Sequence, residues 1–168
     1  MSRLPIALAA LAPLLALAGG CSTMDRITPD RAPRADDTLR AIQSAHFREC
    51  PEGRALANAR IGSDNESRGV DTQDIGLVPL ASDPSRAIRL RRITVQAGGA
   101  IAWHAHDGVQ GMALVLSGEI TEFRNTCLDP IVYRAGDVAR EDAQTAHGWR
   151  NTSRYPAVIL VTHVVPRS

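Results

Sequence analysis

Short apolar runs separated by turn residues fill the chain from Ile75 onwards. Val, Ile and Leu dominate these runs, and glycine-containing turns such as Gly98-Gly99 interrupt them. Closely spaced short strands with little helix are typical of an antiparallel β-barrel or sandwich. The pattern therefore predicts an all-β domain over residues 77–166. Its predicted strands cover residues 88–95, 100–104, 112–116, 119–123, 130–133 and 157–165.

The first twenty residues have the composition of an export signal. Arg3 provides a positive charge, residues 4–18 form an apolar run, and two glycines precede Cys21. The run is shorter than the ~18 apolar residues that a membrane span needs, so we expect a signal peptide over residues 1–20. Residues 17–21 resemble the lipobox of bacterial lipoproteins, in which the cysteine is lipidated. The alternative is ordinary signal cleavage that leaves the cysteine free.

The predicted export signal sets the expected location of the chain and the roles of the segments between the signal and the barrel. We expect the chain on the periplasmic side of a bacterial cell envelope, anchored to the outer membrane by lipid on Cys21; a soluble periplasmic protein is the alternative. Pro, Arg and Asp in residues 21–37 predict a flexible tether. Residues 38–76 are predicted to form an N-terminal extension. Its first part has Leu39 and Ile42 at helical spacing, and its second part is polar and turn-prone.

Composition limits the partners and the redox state. The 168 residues allow one domain behind the leader, and a net charge of +1 gives no electrostatic case for nucleic acid. Three cysteines suit an exported chain. If Cys21 carries lipid, Cys50 and Cys127 remain, either as a disulfide or as two unpaired buried thiols. Their spacing does not decide between these alternatives.

Histidines carry the most specific chemical signal in the sequence. His104 and His106 lie two residues apart on a predicted strand, so both imidazoles point to the same face. The inner face of a small barrel encloses space for at most one small ligand. Two converging imidazoles indicate a metal site, with hydrogen-bonded polar packing as the alternative. A third histidine, His147, follows about forty residues later, within a second glycine-led motif.

Two motifs with defined spacing contain these three histidines, and together they resemble the paired motifs of the cupin superfamily. The resemblance covers about residues 88–165 and implies a small, jelly-roll-like antiparallel cupin barrel. It implies that His104, His106 and His147 bind one divalent metal, that Asn151 is structural, and that the barrel can form a homodimer. The two motifs are Gly98-x5-His104-x-His106 and Gly136-x5-Asp142-x-Gln144-x2-His147-x3-Asn151. The family's second motif has Pro and Gly where this sequence has Asp142 and Gln144.

One ligand of the family pattern is missing from this sequence. The family's first motif supplies a Glu as a fourth ligand, but its position here falls on Gln110 or on Gly111, depending on the direction of counting. Gln110 could offer only an uncharged carbonyl oxygen. Three neutral imidazoles favour Zn, Fe, Ni or Cu and disfavour Mg²⁺. The family resemblance adds Mn, so the expected ion is Zn, Fe, Ni or Mn. The alternative is a cupin that has lost its metal and keeps the histidines as polar core.

The sequence leaves the function open between two classes. One is a metalloenzyme that acts on a small anionic or oxygenated substrate, with catalytic residues unknown. The other is a non-catalytic envelope module that binds a small ligand or a partner; a purely structural barrel is a third reading. Glu122 and Arg124 share a strand face and are predicted to be a surface charge pair. Glu141 lies close to His147, but its spacing alone assigns it no role.

Overall fold

The computed structural model describes residues 34–167, except for residues 61 and 63. The predicted signal peptide, the lipidation site Cys21 and the tether as far as residue 33 lie outside the described residues. Within the described part of the chain, no helix is long and apolar enough to cross a membrane.

The described chain forms one curled sheet and one helix, which confirms the predicted all-β barrel. The order of the strands is β1-β7-β4-β9-β3-β8-β5-β6, and β2 pairs with β3 outside this path. Every named pair is antiparallel except β1 with β7. The elements are α1 Ala35–Gln43, β1 His46–Phe47, β2 Arg68–Pro79, β3 Arg86–Ala105, β4 Gln110–Ser117, β5 Glu119–Arg124, β6 Ile131–Arg134, β7 Asp137–Glu141, β8 Ala146–Arg150 and β9 Ala157–Pro166.

Strand β3 runs through the glycine pair that the sequence marked as a break. The prediction of two separate strands there is wrong, because Gly98 adopts a φ of +75° and the extended backbone continues beyond it. The first half of β3 pairs with β9, and the second half pairs with β8. A glycine with positive φ inside a strand produces the bend that a curled sheet needs. This bend brings the end of β3 over the inner face of the sheet.

Two local predictions in the N-terminal extension are also wrong. Residues 68–74 belong to strand β2, although their polar sequence predicted turns. β2 is exposed along most of its length, so no apolar alternation marks it in the sequence. Helix α1 buries Ala41, whereas Leu39 and Ile42, which the periodicity placed on its buried face, are exposed.

The extension is fixed to the barrel by a disulfide and by polar contacts. Cys50 and Cys127 are bonded in the structure, across a sequence separation of 77 residues. Nearby, Arg54 donates to the Asp129 carboxylate at 2.6 and 3.0 Å. The hydroxyl oxygen of Tyr133 lies 3.1 Å from the carbonyl oxygen of Arg48. The sulfur pair lies at the edge of the apolar core, where Cys127 is fully buried.

The inward residues of the sheet change from apolar to polar along the strands. On β9, Ala157, Ile159 and Val161 point inward and are buried in the apolar core. His163, the next inward residue, is also buried but polar. The same change occurs at the end of β3, where His104 follows the core-packed Ile101. The polar ends of these strands surround the candidate site.

Candidate metal centre

Three histidines meet at the polar end of the barrel. His104 lies near the end of β3, His106 follows that strand, and His147 lies on β8 directly opposite His104. The Nε2 atom of His147 is 2.9 Å from Nε2 of His106 and 3.2 Å from Nε2 of His104. His147 and His106 are buried, whereas His104 is exposed at the rim. The structure therefore brings together the three residues that the cupin resemblance named as ligands.

The hydrogen bonds of two rings fix which nitrogen carries the proton. Nδ1 of His147 is 2.5 Å from a Glu122 carboxylate oxygen, and Nδ1 of His104 is 2.9 Å from the carbonyl of Ala102. Carbonyl and carboxylate oxygens only accept, so in the neutral rings both Nδ1 atoms donate and both Nε2 atoms are unprotonated. The indole N–H of Trp149 makes a long contact of 3.4 Å with Nε2 of His147, which is consistent with this tautomer. The unprotonated Nε2 atoms of His104 and His147 thus face each other.

These positions fit a metal ion. Metal–nitrogen bonds of about 2.0–2.1 Å place neighbouring ligand nitrogens roughly 2.9–3.4 Å apart, between octahedral and tetrahedral angles. The observed Nε2 separations of 2.9 and 3.2 Å lie in this range. A metal-bound histidine usually donates its other nitrogen to a carboxylate or carbonyl, as His147 and His104 do. The donor set therefore suits one imidazole-binding divalent ion.

Their surroundings favour the neutral forms of His104 and His106. Partial burial of the His104 ring at the rim and the neighbouring His147 lower the pKa of His104 below its usual value. Burial, together with the nearby histidines, lowers the pKa of His106 to about 4, against an opposing effect of Glu141. At neutral pH both rings therefore offer lone pairs, which metal binding requires.

Glu122 is a buried supporting residue, and its prediction as a surface charge is wrong. Its side chain is fully buried and accepts from His147, from Nε and Nη2 of Arg124 at 3.0 and 2.9 Å, and from the Tyr133 hydroxyl at 2.9 Å. Burial by itself would raise the pKa of Glu122, but the His147 hydrogen bond and the Arg124 charge outweigh it and lower the pKa. The carboxylate is therefore ionised and orients the His147 ring.

A second buried carboxylate faces the three histidines from β7. One oxygen of Glu141 is 3.6 Å from His147 Nε2, and the other is 2.5 Å from Nε2 of His163. Burial would raise the pKa of Glu141, but the His163 hydrogen bond and the surrounding imidazoles outweigh it and lower the pKa. The ionised carboxylate thus has one oxygen held by His163 and the other directed at the centre.

Glycine at position 111 explains how Glu141 and His163 reach each other. Gly111 on β4 lies directly opposite Glu141 on β7 and His163 on β9. A Cβ at this position would lie 2.5 Å from the His163 ring and 1.8 Å from the carbonyl of Thr162. Because Gly111 has no side chain, β4 leaves space on its inward side. The side chains of Glu141 and His163, from the two flanking strands, occupy this space. A carboxylate from β7 faces the histidines although the family's Glu position on β4 carries none.

Gln110 is not part of this cluster. Its side chain is exposed on the outer side of β4, and it does not line the cavity beside the histidines. Strand alternation explains this placement, because Gly111, Ala113 and Val115 occupy the inward positions. The structure thus separates Gln110 from the three histidines.

Two other residues of the second motif stabilise the backbone around the site. Asn151 is buried and donates to the carbonyls of Val95 and Tyr155 at 2.9 and 2.8 Å. Asp142 accepts from Gln144 N–H and from the Thr145 hydroxyl, each at 3.1 Å, and forms the turn before His147. An aspartate turn therefore replaces the proline of the family motif and keeps the position of the histidine.

A cavity of about 380 Å³ opens beside the three histidines. This volume suits a small organic molecule. Most of its wall is apolar, formed by side chains of β2, β3, β4 and β9, with Trp149 at one side. Its polar residues are Ser67, Thr72, Arg89, Arg91, His104, His106, Glu141 and His163.

Comparison with known proteins identifies the family. The Cupin domain family model matches residues 91–163. The matched segment, residues 91–163, is a cupin domain. No curated protein matches the sequence of this cupin at a significant level.

Solved cupin structures resemble this chain over the barrel. A Cupin_2 domain of an XRE family transcriptional regulator from Enterobacter cloacae is 17% identical, over 60% of this chain and 100% of that chain, with a TM-score of 0.46. The Cnp3 cupin domain of Schizosaccharomyces pombe is 13% identical over 58% of this chain and 66% of that chain, with a TM-score of 0.46. A predicted oxalate decarboxylase from Thermotoga maritima is 16% identical over 61% and 99%, with a TM-score of 0.42.

These similarities concern the fold, so any activity of this protein has to be argued from its own residues. The match spans just under two thirds of the Cnp3 domain chain.

The sequence alone did not assign Glu141 and His163 to the site. For His163 the available signal was the alternation of β9, on which it shares the inward face with Ile159 and Val161. Glu141 has no such local signal. Glu122 shares its strand face with the apolar Ile120, but that alone does not show whether the face is buried.

Proposed function

We propose that this cupin holds one divalent transition-metal ion on His104, His106 and His147, with Glu141 supplying a carboxylate beside them. The observation that carries the proposal is the pair of unprotonated Nε2 atoms of His104 and His147 at 3.2 Å, because a cation between them satisfies both lone pairs. Zn, Fe, Ni and Mn are the candidate ions.

The surroundings of the centre favour a metalloenzyme acting on a small oxygenated substrate. When bound, a divalent ion acts as a Lewis acid that polarises a ligand oxygen. His104 lies at the rim of the open cavity, so one side of the centre is accessible to a small molecule. Glu141 and His163 place a titratable pair at this same side. Glu122 holds His147 in position from the Nδ1 side of its ring, opposite the centre.

Metal stoichiometry tests the proposal. The chain without residues 1–20 is purified without chelator or nickel affinity resin, incubated with each candidate ion, desalted, and analysed by ICP-MS. We expect about one equivalent of metal, lost in a His104→Ala/His106→Ala variant and retained in a His46→Ala variant, whose imidazole is exposed on β1. No metal in the parent chain with any of the ions would overturn the proposal. Retention of metal in the double variant would overturn the ligand assignment.

We also propose that the chain is exported and carries lipid on Cys21. The Cys50–Cys127 disulfide supports an oxidising compartment, because such bonds are rare in the cytosol. Intact-mass spectrometry of the protein expressed in bacteria tests this proposal. We expect a diacylglycerol-bearing Cys21 in the parent and none in a Cys21→Ala variant; a mature parent with an unmodified Cys21 contradicts it. A homodimer stays a prediction of the family resemblance.

A further inference from the structure

Two unpartnered polar atoms in the cavity wall indicate what it binds. Among the described residues, three buried side-chain nitrogens have no hydrogen-bond partner, namely Nε of Arg60, Nε of Arg89 and Nδ1 of His163. The last two belong to residues that line the cavity beside the histidines. They are also direct partners in the β3–β9 ladder. Buried polar atoms are almost always hydrogen-bonded, so two adjacent exceptions in one cavity indicate a missing ligand.

The side chain of Arg89 has no ion-pair partner among the described residues. Arg91, two residues along the same inward face, forms a two-point ion pair with Asp74 at 2.7 and 3.1 Å. Asp74 also attracts the Arg89 guanidinium, but no described side chain forms a hydrogen bond or ion pair with it. Burial and the repulsion of Arg91 outweigh the attraction of Asp74 and lower the pKa of Arg89 from its usual value. A guanidinium fork in this situation matches a carboxylate, which accepts from two of its N–H groups at once.

The two unpartnered atoms differ in what they need. Nε of Arg89 carries a hydrogen and requires an acceptor. His163 donates from Nε2 to the Glu141 carboxylate, so its Nδ1 carries a lone pair and requires a donor. A single ligand satisfies both if it has a carboxylate and, close to it, a hydroxyl group. The His163 ring lies 5.1 Å from the His106 ring, between centroids, so this hydroxyl would lie beside the metal centre.

We propose that the cavity binds a small hydroxycarboxylic acid, with the carboxylate anchored by Arg89 and the hydroxyl donating to Nδ1 of His163. The inference rests on the proposed metal-dependent function and names the substrate class for that site. The apolar wall beyond Arg89, which includes Ile93, Ile159 and Val161, accommodates a short hydrocarbon part of the acid. Ligands of this size fit the cavity volume of about 380 Å³.

Calorimetric titration of three closely related small molecules tests the proposal. Lactate has both groups, propionate lacks the hydroxyl, and lactamide lacks the negative charge. In metal-loaded protein we expect lactate to bind about ten-fold or more tightly than propionate or lactamide, because propionate leaves Nδ1 of His163 without a donor and lactamide offers no negative charge to the Arg89 guanidinium. Equal affinities for all three probes would overturn the proposal, and so would a lack of lactate binding at 50 mM, roughly the limit of millimolar affinities.

Variants on the two faces of β3 separate the subsite from the metal centre. We expect Arg89→Met to weaken lactate binding about ten-fold or more, and Arg89→Lys to weaken it less because the charge remains. Arg92→Met is the matched control on the outer face, where Arg92 contacts Gln73, and should change lactate affinity less than about two-fold. ICP-MS on every variant keeps the two claims distinct. Full metal content with unchanged lactate affinity in Arg89→Met refutes the subsite alone, whereas absence of metal from the parent refutes the proposed function.

Discussion

Replacing Glu122 by glutamine tests whether the buried charge network supports the site. The substitution preserves the shape of the side chain but removes the negative charge that faces Arg124, whose side chain is 7% exposed. Removing one partner of a buried ion pair costs about 3–5 kcal/mol, because the other charge stays buried without compensation. Glu122 also holds Nδ1 of His147, and losing such a supporting contact typically weakens metal binding about 10–100-fold.

Glu119 is the matched control on the same strand. It pairs with Arg134 at 2.8 Å, but the two side chains are 36% and 62% exposed. Exposed pairs contribute up to about 1 kcal/mol, so Glu119→Gln should change the free energy of unfolding by no more than this. It should leave metal affinity unchanged.

Two measurements check this prediction. Urea unfolding of metal-free protein gives the change in the free energy of unfolding, and competition with a chromophoric chelator gives the metal affinity. We expect Glu122→Gln to be several kcal/mol less stable than Glu119→Gln and to bind metal more weakly. If both variants lose less than about 1 kcal/mol and keep the parent affinity, the assignment of Glu122 as the residue that orients His147 is refuted.

Two further predictions concern packing and pH. Gly111→Ala should destabilise the protein by about 1–3 kcal/mol in urea unfolding, because its Cβ would overlap the Thr162 carbonyl and the His163 ring. The control Gly76→Ala, with no atom within 4 Å of its Cβ, should leave the free energy of unfolding nearly unchanged. Equal losses of stability in the two variants would contradict the packing argument. Because burial lowers the pKa of His106 from 6.5 to about 4, the unfolded chain binds this proton at a higher pH than the folded chain does. The metal-free protein should therefore lose stability as pH falls from 6.5 towards 4, by up to about 1.4 kcal/mol per pH unit for this group. A His106→Asn variant should show a shallower slope, and an unchanged slope would contradict the assignment.

The three metal-facing histidines could be predicted because their signal is local. A spacing of two residues places His104 and His106 on one strand face, whatever the strand packs against. The second motif then relates His147 to a glycine-led turn at a fixed distance. The structure keeps this distance although Asp142 replaces the proline of the family pattern, because its side chain forms the turn by accepting two hydrogen bonds.

The carboxylates could not be predicted because their positions depend on strand register. Glu141 faces the histidines only because β7 pairs with β4 such that Glu141 lies opposite Gly111. No local pattern contains this pairing. For Glu122, alternation shows that it shares a face with Arg124 but not whether that face is inside. A charged face is usually solvated, and this one is buried because Arg124, Tyr133 and His147 satisfy its carboxylate.

The polar edge strand shows the same limit in the fold. β2 is mostly exposed and its first part, residues 68–74, is polar, so this part has no apolar period to detect. It is held by the backbone ladder with β3, which extends from Arg68 to Pro79 with two irregularities. Such a strand can be assigned only once its partner strand in the sheet is known.

Anomalous diffraction from crystals of the zinc-loaded chain, collected at the zinc absorption edge, tests the central claim most directly. The account predicts one strong peak about 2.0–2.1 Å from the Nε2 atoms of His104, His106 and His147. A peak at the His46–Asp137 pair instead, where Nε2 and a carboxylate oxygen lie 3.1 Å apart, or no peak within bonding distance of the three imidazoles, would contradict it.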